Sequence, residues 1–163
     1  GQLSPTHKFD ERLREQAPLA KVAQHIDTDQ TFRYAPASGD PMPIHLDEEA
    51  AAHSKFGKRI VHGALVSSLF SAIFGTNMPG PGAIYIYQDV RFMKPVFLDA
   101  EVKASVVVAS MDNARNRVHF DCVGHVDNNI VSEGRAILFV LCAAMLCARC
   151  GYLLVISDSA ASS

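Results

Sequence analysis

The most apolar helix candidate of the chain lies at residues 60–74, where hydrophobic or small side chains dominate. Its leucine, valine, isoleucine and phenylalanine residues fall on every face of a helix. Such a helix is typical of an element that is buried on all sides. The pattern therefore predicts a buried central helix that ends at Gly75, because glycine commonly terminates helices.

From residue 83 onward, the pattern changes to that of β-strands. In residues 101–110, valines and alanines alternate with Lys103 and Ser105, as in a half-buried strand. Three further strands are predicted at residues 83–92, 118–126 and 130–141. Polar residues at 111–115 and 127–129 are typical of hairpin turns. One buried helix followed by successive antiparallel strands predicts an α+β fold in which the sheet wraps the helix.

The first part of the chain is more polar. Residues 1–27 mix both charges and are predicted to precede a domain that spans residues 28–141. Within that domain, residues 31–34 form a short run of strand-forming residues. Three prolines and a glycine predict a loop at residues 36–43, and Asp47 is predicted to cap the short helix that follows.

The last residues, 142–163, form an apolar C-terminal extension whose role the sequence does not define. Residues 137–156 are apolar enough to cross a membrane. Arg149 lies in the middle of that stretch, however, and a charge in the bilayer core is costly. We therefore expect an appendage that packs on the domain or on a neighbour, and no membrane partner.

The composition is that of one globular domain, with 48% hydrophobic and 20% charged residues. A formal net charge of −2 argues against nucleic acid as the main partner, since phosphate binding needs a basic surplus. The four cysteines are unevenly placed, unlike a disulfide framework, and the first residues contain no apolar signal segment. These features predict a cytoplasmic protein, with peroxisomal and mitochondrial locations as the alternatives.

Candidate chemistry is concentrated between residues 38 and 63. Asp40 and His45 lie five residues apart in the proline-rich loop, which limits the entropy lost in holding them. A carboxylate and an imidazole are suited to acid–base catalysis near neutral pH. The alternative is structural: Asp40 makes an Asx-type turn and His45 is an ordinary loop residue.

His62 and Gly63 lie at the start of the predicted central helix. Backbone N–H groups there lack helical partners and meet the positive end of the helix dipole. Since glycine has no Cβ, a substrate oxygen can approach Gly63 closely and accept a hydrogen bond from its N–H. The alternative is a glycine that only permits tight helix packing.

Basic residues are scattered on either side of this helix, at Lys55, Lys58, Arg59, Arg91 and Lys94. Such side chains can contact substrate phosphates. A solvated basic face is the more common meaning of this pattern. Lys58 and Arg91 are retained as candidate substrate contacts.

Two segments carry a family resemblance, Ser38-Gly39-Asp40-x-x-Pro43-x-His45-x-Asp47 and Ile60-Val61-His62-Gly63, with Phe56 between them. Further matches follow at Pro79-Gly80, Lys94-Pro95-Val96 and Glu133-Gly134-Arg135-Ala136. Together they resemble the MaoC-like, or (R)-specific enoyl-CoA hydratase, family. The resemblance implies a hot-dog fold, in which an antiparallel sheet wraps a long helix, and a homodimer.

The resemblance also implies a reaction, the reversible addition of water to a trans-2-enoyl thioester. Asp40 and His45 match the catalytic pair of the family, and Gly63 matches its backbone donor to the thioester carbonyl. Leu65, Leu69 and Phe70 are expected to line an acyl tunnel. His62 is expected to contact the substrate. No metal or redox cofactor is implied, because coenzyme A belongs to the substrate; the carrier is coenzyme A or an acyl carrier protein.

One residue departs from the family pattern. Met42 occupies a position where the family usually has an asparagine that helps to hold the catalytic loop. Two alternatives to the hydratase stay open, and the Met42 departure supports the second of them. The first is a thioesterase with the same fold, and the second is a non-catalytic module that binds acyl thioesters.

Overall fold

A computed structural model describes residues 19–140 of the chain. It contains five strands: β1 (Leu19–Ile26), β2 (Ile84–Phe92), β3 (Ala100–Asp112), β4 (Arg117–Val126) and β5 (Asn129–Phe139). It also contains four α-helices: α1 (Thr28–Ser38), α2 (Pro43–Leu46), α3 (Glu48–Ala52) and α4 (Gly63–Thr76). The predicted extension at 142–163 lies outside the described residues. Within residues 19–140, no helix has both the length and the apolar character needed to cross a membrane.

The strands form one antiparallel sheet in the order β1-β3-β4-β5-β2. Helix α4 packs across β1, β3 and β4, and the hydrophobic core lies between the helix and the sheet. A 3₁₀ turn at Asn113–Arg115 joins β3 to β4, and residues 127–128 turn β4 into β5, as predicted. A long helix laid on an antiparallel sheet is the hot-dog arrangement, so the predicted fold class is confirmed.

Helix α4 is buried on one face only. Its core side consists of Val66, Leu69, Phe70, Ile73 and Phe74. The opposite side carries small exposed residues, namely Ala64, Ser68, Ala72 and Gly75. The prediction of burial on all sides is wrong for this face, because the single sheet covers one side of the helix. Gly75 does not end the helix either, since α4 continues to Thr76.

The region before the loop that carries Asp40 differs most from the sequence-based expectation. Residues 31–34 were predicted as a strand, but they belong to helix α1. Asp27 caps this helix, and Gln30 completes a reciprocal capping box with it. The stabilisation of α1 by this cap outweighs the preference of residues 31–34 for a strand. The first strand of the sheet, β1, lies before residue 28, so the sheet includes part of the segment that was predicted to precede the domain.

Candidate active site

The turn after α1 places Asp40. Gly39 adopts a left-handed backbone conformation, with φ at 73°, and ends the helix. The N–H groups of Gly39 and Asp40 both donate to the carbonyl oxygen of Ala35, at 2.9 and 3.1 Å. Pro43 then opens helix α2, which carries His45. A short, well-bonded connection therefore separates the carboxylate from the imidazole.

Two hydrogen bonds to Ile60 fix His45. The Ile60 N–H donates to the Ile44 carbonyl oxygen at 3.3 Å, and His45 Nδ1 lies 2.8 Å from the Ile60 carbonyl oxygen. A carbonyl oxygen can only accept, so Nδ1 must carry the hydrogen. In the neutral ring, Nε2 then has a free lone pair. His45 is only 8% exposed, and its Nε2 is the nitrogen that can exchange protons with a bound substrate or water.

The Asp40 carboxylate lies beside this imidazole. Its Oδ1 accepts a hydrogen bond from the Met42 N–H at 3.3 Å, so the Asx-type turn considered as an alternative is present. Among residues 19–140, no donor reaches the other carboxylate oxygen. Ligand atoms of Asp40, His45 and His62 all lie within 4.8 Å of one another. The loop therefore makes its turn and still leaves one oxygen available for chemistry.

His62 is the third residue of this group, and it lies against the ring of His45. Its ring is 2% exposed and stacks on His45, with centroids 3.8 Å apart and planes inclined by 26°. Its Nε2 lies 3.1 Å from the carbonyl oxygen of Asp40. Burial lowers the pKa of His62, and the nearby charge of His45 lowers this pKa further, against the opposing effect of the Asp40 hydrogen bond. His62 is therefore uncharged near neutral pH.

These three residues are poorly arranged for a metal ion. A nitrogen lone pair lies in the plane of its imidazole ring, and zinc binds such a nitrogen at about 2 Å. The two stacked ring planes are inclined by only 26°, so they converge far beyond that distance. The arrangement suits proton transfer better than coordination, and the expected lack of a metal cofactor stays a prediction.

A cavity of about 420 Å³ opens next to His45. Helix α4 contributes Gly63 and Val66 to its wall. Other apolar wall residues include Phe56, Phe92 and Met93. The only charged side chains among the described residues that line it are two lysines, Lys55 and Lys94. The cavity therefore combines an apolar wall, an imidazole and a cationic part.

Gly63 meets the ring of Phe92 at this cavity. A Cβ atom added to Gly63 would lie 2.9 Å from Phe92 Cζ, which is closer than ordinary packing. Gly63 is the first residue of α4, where backbone N–H groups have no helical acceptor. Glycine at this position thus keeps the helix start open to the cavity.

Several predicted substrate contacts lie elsewhere. Leu69 and Phe70 belong to the hydrophobic core, at 3% and 0% exposure, and Leu65 packs partly buried against it. Lys58 Nζ lies 4.2 Å from the centroid of the Phe97 ring. Arg91 pairs with Glu133 on the exposed face of the sheet, at 3.5 Å. The role of these residues in binding stays a prediction.

Three residues of the wall were not among the substrate contacts retained from the sequence. Lys55 and Lys94 were part of the basic scatter, and only the fold brings them to one cavity. Phe92 lies at the end of a predicted strand, where nothing local indicates that it meets Gly63. A strand end followed by Lys94-Pro95 is the only signal that pointed to this region.

Comparison with known proteins places this geometry in a family. A family model described as MaoC like domain matches residues 10–129. A 3-hydroxybutyryl-CoA dehydratase from Methylorubrum extorquens is 38% identical over 119 residues, which cover 73% of this chain and 76% of that protein. An (R)-specific enoyl-CoA hydratase from Rhodospirillum rubrum is 34% identical over 134 residues, with coverage of 82% and 92%.

A solved structure agrees with these matches. An (R)-hydratase from A. caviae superimposes with a TM-score of 0.74 at 30% sequence identity, over 76% of this chain and 95% of that one. The family model covers well over half of the chain, and the helix-on-sheet fold is shared. The chain therefore belongs to the MaoC-like domain family.

Proposed function

We propose that the protein hydrates trans-2-enoyl thioesters to (R)-3-hydroxyacyl thioesters, reversibly, as part of fatty acid metabolism. One observation carries the proposal: His45 and the N-terminal residue of α4, Gly63, line one cavity with an apolar wall, and the Asp40 carboxylate lies within 4.8 Å of His45. Relatives named (R)-specific enoyl-CoA hydratase and 3-hydroxybutyryl-CoA dehydratase support the same reaction.

The geometry suggests how these groups divide the work. Asp40 accepts a proton from a water molecule while the water oxygen bonds to C3 of the enoyl group. The Gly63 N–H donates to the thioester oxygen, which becomes negative as the double bond is lost. His45, protonated at Nε2, supplies the proton to C2. A proton transfer from Asp40 to His45 then restores both groups.

The acid–base pair is tested with purified protein and crotonyl-CoA. Loss of the conjugated-enoyl absorbance should appear with the wild type, and the product should be the (R)-3-hydroxy thioester. Asp40→Asn and His45→Ala should each reduce kcat at least about 100-fold, because a positioned acid or base contributes about 10²- to 10⁴-fold. Thermal unfolding should show that both variants remain folded.

Other outcomes would decide for the alternatives. Release of free thiol would indicate a thioesterase. Tight binding of acyl-CoA without any turnover would indicate a non-catalytic binding module, for which the Met42 departure is the main argument. Loss of folding in Asp40→Asn would assign that residue a structural role.

The carrier of the acyl group is proposed to be anionic, as coenzyme A is. Lys55 and Lys94 line the cavity, and no acidic residue among the described ones does. Lys94 Nζ donates to Asn129 Oδ1 at 2.6 Å, which holds this cation in place. Two exposed ammonium groups at the mouth of an apolar cavity suit the phosphates of a long thioester substrate.

This proposal predicts a binding defect in the double variant Lys55→Ala/Lys94→Ala. KM for crotonyl-CoA should rise about 3- to 10-fold at low salt with little change in kcat, since each exposed charge pair contributes about 0.2–1 kcal/mol. Lys21→Ala/Lys103→Ala, which removes two lysines from β1 and β3, is the matched control. The proposal of an anionic carrier would be contradicted by an equal rise of KM in both double variants. The same rise of KM for an uncharged pantetheine thioester would also contradict it.

A homodimer is also proposed. Strand β2 lies at one edge of the sheet, so its outer hydrogen-bonding groups have no partner strand within residues 19–140. It carries several large apolar residues that are at least 44% exposed, namely Ile84, Ile86, Tyr87 and Phe92. A long apolar edge strand is a natural surface for pairing with a second copy.

A further inference from the structure

His62 connects three parts of the candidate site through one side chain and its own backbone. Its carbonyl oxygen accepts the N–H of Val66 at 3.2 Å and so starts helix α4. Its ring lies 3.1 Å from the Asp40 carbonyl oxygen through Nε2. The same ring stacks on His45 at 3.8 Å.

The chemistry of these contacts defines the state of the ring. The Asp40 carbonyl oxygen can only accept, so Nε2 of His62 must carry the hydrogen. The other nitrogen, Nδ1, is buried and has no hydrogen-bond partner. A second hydrogen there would be buried without an acceptor, which is costly. The ring is therefore held in the uncharged form that has its hydrogen on Nε2.

His62 is also unable to contact a substrate directly. Its side chain is 2% exposed, and the cavity wall next to it is formed by His45 and Gly63. The residues that face the ring are His45 from α2, Asp40 from the loop and Tyr34 from α1, whose ring centroid lies 5.1 Å away. The imidazole thus lies behind the proposed catalytic groups.

We propose that His62 is a positioning residue, which holds the Asp40 loop at a constant distance from the N–H of Gly63. Its Nε2–H fixes the backbone of Asp40, and the next residue along the chain is Gly63 itself. One residue thereby sets the separation between the base that activates water and the donor to the thioester oxygen. This inference rests on the proposed hydratase function, and it replaces the expected substrate contact of His62.

Two variants distinguish the effect of the hydrogen bond that His62 donates from the effect of burying a ring at this position. His62→Phe keeps a buried aromatic ring that can stack on His45 but removes the donor. His62→Gln keeps an N–H donor that reaches about as far as Nε2 but removes the ring. Both variants lack the buried, unpartnered Nδ1, so this atom does not distinguish them.

Steady-state kinetics with crotonyl-CoA provide the first measurement. His62→Phe should lower kcat about 10- to 100-fold with KM changed less than about twofold, because small displacements of catalytic groups have effects of this size. His62→Gln should stay within about threefold of the wild type. A wild-type kcat in His62→Phe, equal losses in both variants, or a change mainly in KM would overturn the proposal.

Amide hydrogen exchange provides a second measurement that does not depend on turnover. The N–H groups of Gly39 and Asp40 donate to the Ala35 carbonyl oxygen of α1, and the N–H of Met42 donates to Asp40 Oδ1. They should exchange about 10-fold faster in His62→Phe and at the wild-type rate in His62→Gln. If the wild type hydrates no enoyl thioester, the proposed function fails, while exchange still decides whether His62 holds the loop. Unchanged exchange in His62→Phe would refute that.

Discussion

At the scale of single residues, backbone carbonyl oxygens decide which ring nitrogen of His45 and of His62 carries the hydrogen. The Ile60 oxygen holds the hydrogen of His45 on Nδ1 and leaves Nε2 free for proton transfer. The Asp40 oxygen does the reverse for His62, whose hydrogen lies on Nε2. Two stacked imidazoles therefore differ in function, because one has its reactive nitrogen next to the cavity and the other is hydrogen-bonded to the backbone.

Met42 is the residue whose replacement is most informative at this scale. It precedes helix α2 as its N-cap, is 55% exposed and provides no side-chain cap. Met42→Asn should raise the free energy of unfolding by about 0.5–2 kcal/mol, since asparagine is a preferred N-cap residue. It should also raise kcat, because a capped α2 holds His45 more firmly. Chemical denaturation and crotonyl-CoA kinetics measure the two effects.

Met42→Ala is the control, since it removes the thioether without adding a cap. It should match the wild type in both measurements. If Met42→Asn is no more stable than Met42→Ala, the side chain at this position does not cap α2.

At the scale of elements, the start of helix α4 defines the proposed donor site. The apolar pattern extends back to residue 60, but the helix begins at Gly63. Ile60 forms a β-bridge with Phe97, and the N–H of Val61 donates to the Val96 oxygen at 2.7 Å. These tertiary contacts keep the first residues extended. The free N–H groups of the helix consequently begin next to His45.

The two glycines of α4 offer a matched pair of substitutions. Gly63→Ala should lower kcat/KM about 100-fold, because the methyl group would crowd Phe92 and the proposed backbone donor. Its free energy of unfolding should fall by less than about 1 kcal/mol, since Phe92 is half-exposed and can move. Gly75→Ala has open space around its Cβ and should stabilise the helix by about 0.5–1 kcal/mol at unchanged activity.

Kinetics and thermal unfolding of both variants check this comparison. Wild-type kcat/KM in Gly63→Ala would show that a substrate does not approach this residue. An equal loss of activity in Gly75→Ala would show that the whole helix, rather than its first residue, is sensitive.

At the scale of the whole molecule, two surfaces without a partner among residues 19–140 are candidates for the interface of the proposed dimer. One is the outer edge of β2, with its exposed apolar side chains. The other is the exposed face of α4, whose residues are small enough to allow close packing. Because a two-fold axis places the same surface on both copies, each of these faces can pair with itself.

The proposed dimer predicts a specific loss of association. Ile86→Lys places a charge in the middle of β2 and should raise the dimer dissociation constant at least about 100-fold, because a buried unpaired charge costs several kcal/mol. Light scattering after size-exclusion chromatography measures the mass. Ala23→Lys makes the same change in charge on the opposite edge strand, β1, and should leave the dimer intact. A monomeric wild type, or a dimeric Ile86→Lys protein, would contradict the proposal.

The sequence alone was sufficient for the part of the fold that depends on local periodicity. Strands β2 to β5, the turns from β3 to β4 and from β4 to β5, and the existence of an apolar helix before β2 follow from the local pattern of apolar residues. That pattern did not show that only one face of this helix is buried. The proximity of Asp40 and His45 also follows from the chain, because the two residues lie only five positions apart in a proline-rich segment.

Only the tertiary structure determined the features that depend on contacts between residues far apart in the sequence. Strand β1 alternates in burial but only weakly in residue type, because apolar Leu19 and Ala23 lie at exposed positions and polar Gln24 at a half-buried one, and its pairing with β3 defines it. The cavity brings together Lys55, Gly63 and Lys94 from separate segments. The position of His62 behind Asp40 likewise depends on a hydrogen bond across 22 residues. Local sequence carries no signal for such contacts, because they form only when the sheet and α4 have packed.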